Sequence, residues 1–355
     1  MVKVKSMQIR RMQKELLIKE NTNYFQSCHA STVVKLSNDD LLVAFFAGTK
    51  EGTGDTAIWL SRKTKNGWEE PKRVVFGVGI PHWNPSLFYQ NNKIWLFYKT
   101  GFDVHSWITR YVTSEDNAET WSVSKELVPL DPSPRGPVKN KVILLSNGAW
   151  LAPGSVEEKR SWDAFTDYSS NQGLTWKKSD LVKFNHQLGT PLEERNLWEG
   201  LVGNALWEND LSKVSNWDGI IQPSLWESQE GLVHMMCRST RGYIYRSDSI
   251  DFGKTWCESY PTSLPNNNSG IDVVKMENGI LALVYNPVSG NWSARTPLTI
   301  SFSEDNGITW TDHYHLETES GEFSYPAIIT EGNELFITYT VNRNNIAFSH
   351  LKVSN

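Results

Sequence analysis

The chain predicts an all-β fold, a six-bladed β-propeller of four-stranded antiparallel blades, and two observations predict it. Short apolar runs separated by Asn, Asp, Gly and Glu turns recur from end to end, the pattern of consecutive hairpins. The runs group into units of about 40–60 residues, a period at which radial repetition leaves few open sheet edges. A length of 355 residues exceeds the usual single-domain size, but a closed propeller is one unit, so residues 1–355 are predicted as one domain.

Each unit opens on a polar or charged string where a plain strand would be apolar. In order these are Cys28-His29-Ala30-Ser31, His82-Trp83-Asn84-Pro85, Arg135-Gly136-Pro137-Val138, Gln222-Pro223-Ser224-Leu225, Asn268-Ser269-Gly270-Ile271 and Ser324-Tyr325-Pro326-Ala327. A strand, a turn and a returning strand follow each one, as in 31–36, Ser37-Asn38-Asp39-Asp40 and 41–46. Counted from His29 to His82, Arg135, Gln222, Asn268 and Ser324, the openings lie 53, 53, 87, 46 and 56 residues apart. The long third interval predicts an insertion at about 186–217, carrying Trp198, Trp207 and Trp217, and a seventh blade if that insertion conceals one. A strand-like run at 14–18, before the first opening, is expected to pair with the last blade and close the ring.

Composition narrows the function. A formal charge of −5 and the lack of a Lys/Arg run argue against a nucleic-acid partner. Three cysteines, Cys28, Cys237 and Cys257, cannot form a full disulfide framework, which points to the reducing cytoplasm. Met1-Val2-Lys3-Val4-Lys5 is basic, yet no apolar segment follows that would serve as a leader or span a bilayer, so no membrane partner is expected. No Gly-rich strand-to-helix loop suggests a nucleotide cofactor, and no H-E-x-x-H or similar spacing suggests a metal, so none is expected. The 16 Trp, 12 Tyr and 14 Phe supply flat faces for blade packing and for sugars.

The first strand of a propeller blade lines the axial channel. His29, His82, Arg135, Gln222, Asn268 and Tyr325 are therefore expected to converge although they are distant in sequence. Further basic residues stand just after second strands, namely Arg238 and Arg241, Arg295 and Arg343. A site rich in Arg and His and poor in carboxylates suits an anion, and the guanidinium fork matches a carboxylate bidentately.

A second signature closes several units. Ser114-Glu115-Asp116-Asn117-Ala118-Glu119-Thr120-Trp121, Ser249-Ile250-Asp251-Phe252-Gly253-Lys254-Thr255-Trp256 and Ser303-Glu304-Asp305-Asn306-Gly307-Ile308-Thr309-Trp310 fit S-x-D-x-G-x-T-W fully or nearly. Ser169-Ser170-Asn171-Gln172-Gly173-Leu174-Thr175-Trp176 is a weaker copy, and Lys65-Asn66-Gly67-Trp68 reads as a remnant. This turn resembles the Asp-box (BNR repeat) of sialidases and their relatives, which lies on the outside of each blade. The resemblance implies that Arg238 and Arg295 stand as the second and third Arg of a carboxylate clamp, Tyr325 as the nucleophile and Asp55 as the acid or base. Two positions depart from it. His29 stands where the first Arg belongs, and Gln222 stands near the Glu that would activate the Tyr.

A Tyr hydroxyl needs a carboxylate to take its proton, and Gln222 cannot do so. What remains is a clamp, a phenol and two imidazoles, which also suits β-elimination from a 4-linked uronate. The strings 28–32, 82–85, 135–141, 267–272 and 323–328 resemble a branch of sialidase-like propellers that includes rhamnosyl-glucuronate lyases. On that reading His82 is general base and acid, Tyr325 sits near the leaving oxygen and His29 shares the proton. Arg135, Arg238 and Arg295 neutralise the carboxylate, while Asp55, Trp83, Asn84, Lys139, Gln222, Asn268 and Arg343 bind the rest of an acidic oligosaccharide or polysaccharide end. Two alternatives stay open, a sialidase-type hydrolase using Asp55 and Tyr325, and a non-catalytic sugar-binding propeller.

Overall fold

The computed structural model describes residues 7–19, 22–186, 208, 210–214 and 216–354, and these are almost wholly β. Strands meander antiparallel in five sheets. Four of the sheets hold one meander each, with innermost strands Ser27–Lys35, His82–Gln90, Asp272–Lys275 and Phe323–Glu331. The eight-stranded fifth sheet holds two, beginning at Ile143–Leu144 and at Asp218–Gln229, joined by a parallel contact of Ser161 and Trp162 with Asp218 and Gly219. The expected insertion lies largely outside the described residues.

Apolar side chains are buried between neighbouring meanders. Phe46 and Ile58 pack on Leu87 and Leu96, Phe97 on Trp150, and Leu151 on Leu225 and Met235. Met236 then meets Leu283, Val284 meets Ile337, and Phe336 and Phe348 meet Val43 and Phe45, which returns to the start. The sheets thus form a closed propeller, with about 1.5–3 kcal/mol gained per fully buried large side chain. Strand Gln8–Leu16 pairs antiparallel with Asn345–Ser354 and completes the last sheet, the closure expected of the N-terminal run. Among the described residues no helix is long and apolar enough to cross a membrane.

The axis is tied by the third meander's opening. Lys139 Nζ donates to Asn140 Oδ1 at 2.9 Å, to the Ile271 carbonyl at 3.1 Å and to the Pro326 carbonyl. Asn140 Nδ2 donates to the carbonyls of Gln222 and Pro223 at 2.9 and 3.0 Å, and the Asn140 carbonyl accepts from Ser86 Oγ at 3.1 Å. Two adjacent residues therefore bind four other inner segments.

All six openings share one backbone feature. Ala30, Asn84, Lys139, Gln222, Asn268 and Tyr325 lie in the left-handed region, with φ of 56, 39, 64, 52, 57 and 53°. Four of them coincide with a register shift against the second strand, between His29 and Thr32, Trp83 and Ser86, Ile221 and Ser224, and Ser324 and Ala327. Such a conformation is uncommon outside Gly, and a bulge re-aims the side chain it carries.

The outer turns follow the signature read from sequence. Asp116 accepts from the Thr120 hydroxyl at 2.5 Å, the Thr120 N–H at 2.9 Å and the Ser114 hydroxyl at 2.7 Å, and these bonds hold its carboxyl well below the usual range. Asp251 and Asp305 repeat the arrangement, and in the weaker copy Asn171 Oδ1 accepts the Thr175 N–H at 2.9 Å. The indole N–H groups of Trp176, Trp256 and Trp310 donate to the carbonyls of Gly173, Gly253 and Gly307, so each Trp caps its own turn.

Candidate active site

Left-handed openings and the segments that follow second strands meet in one cleft at an end of the axis. Asn84, Gln222 and Tyr325 come from the openings, and Glu51, Glu157, Arg238, Arg295 and Arg343 come from second-strand ends. Trp83, Trp107, Trp162, Trp217 and Trp292 form its aromatic walls.

Arg238 is 3% exposed. Its Nη1 donates to the Tyr325 hydroxyl at 2.6 Å and to Gln222 Oε1 at 3.3 Å, its Nε to Asn268 Oδ1 at 3.0 Å and its Nη2 to the Asn268 carbonyl. Asn268 therefore orients the guanidinium. Arg295 Nη1 donates to Glu322 Oε1 at 2.6 Å, Arg343 Nε donates to both Glu322 oxygens at 3.1 Å, and Arg343 Nη1 donates to Glu51. Burial would raise the Glu322 carboxyl, but the facing Arg343 and Arg295 outweigh it and hold it below its ordinary value. Glu51 and Glu322 balance two of the three guanidinium charges. The third, on Arg238, has no carboxylate bonded to it among the described residues.

His29 does not line the cleft but supports it. Its ring lies 4.1 Å from that of Tyr325, its Nδ1 is 2.9 Å from Thr340 Oγ1 and its Nε2 is 3.4 Å from Arg343 Nη2. Burial, then Arg343, Arg295, Arg238 and Lys139, push its pKa well below 6.5, so the imidazole is neutral and Nε2 accepts from Arg343. It is a spacer between Tyr325 and the clamp, with both nitrogens engaged. Lys139 lies behind the same ring, 5.9 Å from its centroid.

Three expected site residues are elsewhere. His82 packs on Tyr98, 5.6 Å between centroids, with Nδ1 3.3 Å from the Thr56 carbonyl and Gly77 against its ring edge; burial lowers its pKa. Arg135 pairs with Asp167 at 2.6 Å and Asp131 at 2.9 Å and donates to the Trp176 carbonyl, so it ties neighbouring loops. Asp55 is held by Thr49 and Thr53 hydroxyls at 2.7 and 2.5 Å, facing Tyr24 and Trp59 in a separate depression. Arg241 likewise pairs with Asp218 at 2.5 Å. The reason is register. Gln222, Asn268 and Tyr325 are themselves the left-handed residues, whereas His82 and Arg135 stand two and four positions before theirs, Asn84 and Lys139.

Glu51, Glu157, Glu322 and the walls Trp107, Trp162 and Trp292 were not singled out from the sequence. Glu157 ends the second strand of its meander and Glu51 stands three residues beyond the end of its own, Leu41–Gly48. Among the described residues no group of three or more His, Cys, Asp or Glu offers a metal site.

The meanders and their closure define a sialidase-type β-propeller. The BNR repeat-like domain family matches residues 39–337, and the chain belongs to that family. A protein of unknown function from Dyadobacter fermentans superimposes with a TM-score of 0.73 at 14% identity, covering 98% of this chain and 99% of that one. The Hadza microbial sialidase Hz136 gives 0.72 at 17% identity, covering 93% and 66%. The K499G mutant of NanB sialidase from Streptococcus pneumoniae gives 0.69 at 14%, covering 95% and 70%. At these identities the likeness is one of fold. Among curated proteins none matches the sequence.

Proposed function

We propose that this protein is a carbohydrate-active enzyme that seats the carboxylate of a terminal acidic sugar on Arg238, Arg295 and Arg343 and cleaves the sugar's link to its neighbour. The single observation that carries the reading is Arg238, a buried guanidinium bonded to the Tyr325 hydroxyl and, among the described residues, to no carboxylate. A ligand carboxylate pairs with it, and the aromatic walls supply faces for the ring. We count six blades in the ring, taking the eight-stranded sheet as two, and treat residues 1–355 as one unit.

The reaction we favour is β-elimination from a 4-linked uronate. Neutralising the C6 carboxylate acidifies the proton on C5, the adjacent carbon. Because Arg238 bonds Tyr325, a sugar held by its carboxylate presents C5 to the Tyr325 oxygen, which as the phenolate takes the proton while C4 loses its substituent. His82 plays no part in this scheme.

A second reading, hydrolysis of a sialic-acid-like sugar, draws support from the sialidase fold and from the two carboxylates, Glu51 and Glu157, in the cleft. Incubation with rhamnosyl-glucuronate oligosaccharides and with sialyl-lactose separates them. Elimination yields an unsaturated uronate that absorbs in the ultraviolet; a saturated free sugar without that absorbance would replace it with hydrolysis. Binding without turnover of either would leave a sugar-binding propeller.

A further inference from the structure

Of the two carboxylates after second strands, Glu51 is spent on Arg343. Glu157, which ends strand Trp150–Glu157, is different: no cation is bonded to its carboxyl among the described residues. It is 5% exposed and lines the cleft with Arg238, Arg295 and Tyr325. Its Oε1 accepts from Ser155 Oγ at 3.0 Å, while its backbone carbonyl meets the His105 ring, which fixes the strand end.

We propose that Glu157 is the proton donor of the reaction, delivering its carboxyl proton to the oxygen that leaves the acidic sugar. The proposal rests on the acidic-sugar reading above. Trp162, its cross-strand neighbour, and Trp107 of the same cleft bring apolar surface to it, and burial raises its pKa. The groups that oppose this are Ser155 on its own strand, Arg238 across the cleft, Lys99 from the preceding meander and His105 from the loop above. Arg238 is the one a substrate changes. Once the sugar carboxylate is seated on it, that positive charge no longer favours the Glu157 anion, so Glu157 holds its proton when substrate is bound.

The step balances. Tyr325, having first given its hydroxyl proton to water, takes the C5 proton as the phenolate, the C5–H electron pair becomes the C4–C5 double bond, and the C4–O pair leaves with the oxygen, which receives the Glu157 proton. Afterwards Glu157 regains a proton from water and Tyr325 returns one to it. In hydrolysis the same proton goes to the glycosidic oxygen. Either way, an oxygen that departs as a stable anion needs no donor.

The test compares two substrates of the same acidic sugar, one with a sugar alcohol as leaving group and one with an aryl leaving group. Glu157→Gln is expected to lower kcat on the first by about 100-fold or more with little change in KM, and on the second by less than about fivefold. Equal losses on both would overturn the assignment. Tyr325→Phe is the control on the underlying reading. It should abolish both activities, and full aryl activity in it would sink that reading whatever Glu157 does. A wild-type measurement guards against a misfolded variant. The fall in activity as pH rises past the donor's pKa should appear with the alcohol leaving group and be absent with the aryl one; identical profiles would also overturn the proposal.

Discussion

Among the described residues Arg238 makes four hydrogen bonds, and no acceptor is a carboxylate: they are a phenol, two side-chain amides and a backbone carbonyl. Arg295 and Arg343, by contrast, share Glu322. The distinction matters because Arg238 has no carboxylate bonded to it among the described residues, whereas Arg295 and Arg343 offer a ligand only the N–H groups that Glu51 and Glu322 leave open. Arg238→Lys, which keeps the charge and loses the fork, is expected to reduce kcat/KM on an acidic substrate by at least about 100-fold. His82→Ala is expected to leave kcat/KM within about threefold of wild type while lowering the melting temperature, since the ring fills space between Tyr98 and Gly77. Steady-state kinetics beside thermal unfolding check both. The Arg residues were legible in the sequence as isolated basic residues near or beyond the ends of apolar second strands, Arg238 inside Leu232–Ser239 and Arg343 two residues past Glu334–Val341. The carboxylates were not, because a search for an anion site looks for cations, and nothing local marks Glu322 as their buried partner.

At the scale of elements, the recurring bulge accounts for which of the expected residues reach the cleft and which do not. Period-2 reading assumes that alternate residues face the axis, and a left-handed residue breaks that parity. Where the chosen residue was the left-handed one, as with Gln222, Asn268 and Tyr325, it reached the cleft or its support. Where it preceded that residue, as with His82 and Arg135, it went into the walls. The Asp-box was legible throughout, since its bonds are local. Burial opposes the ionisation of Asp305, but the Thr309 and Ser303 bonds prevail and hold it at about 2, below its ordinary 3.8. Its folded value being depressed, it stabilises the fold above about pH 4, and that contribution is lost as pH falls through the folded value. The melting-temperature gap between wild type and Asp305→Asn should therefore be full near neutral pH and close as pH approaches about 2. A gap independent of pH would contradict the account.

For the whole molecule, repeats predict a ring, but only the three-dimensional pairing shows how it is fastened. Strand Gln8–Leu16 covers the edge of Asn345–Ser354, and Lys139 and Asn140 tie the inner segments from within. The sequence showed the N-terminal run as strand-like, but the axial tie depends on carbonyls that no residue type announces. Deleting residues 1–18 should uncover that edge, lower the melting temperature by roughly 10 °C or more and promote self-association, as read by unfolding and light scattering. An unchanged melting temperature and unchanged scattering would show that the ring closes without it. The central claim, that the cleft is organised around one carboxylate, is tested most directly by comparing turnover of a terminal uronate oligosaccharide with that of its carboxyl-reduced counterpart, identical except for a hydroxymethyl group at C6. The account predicts cleavage of the acid and none of the reduced sugar; equal cleavage of both would contradict it.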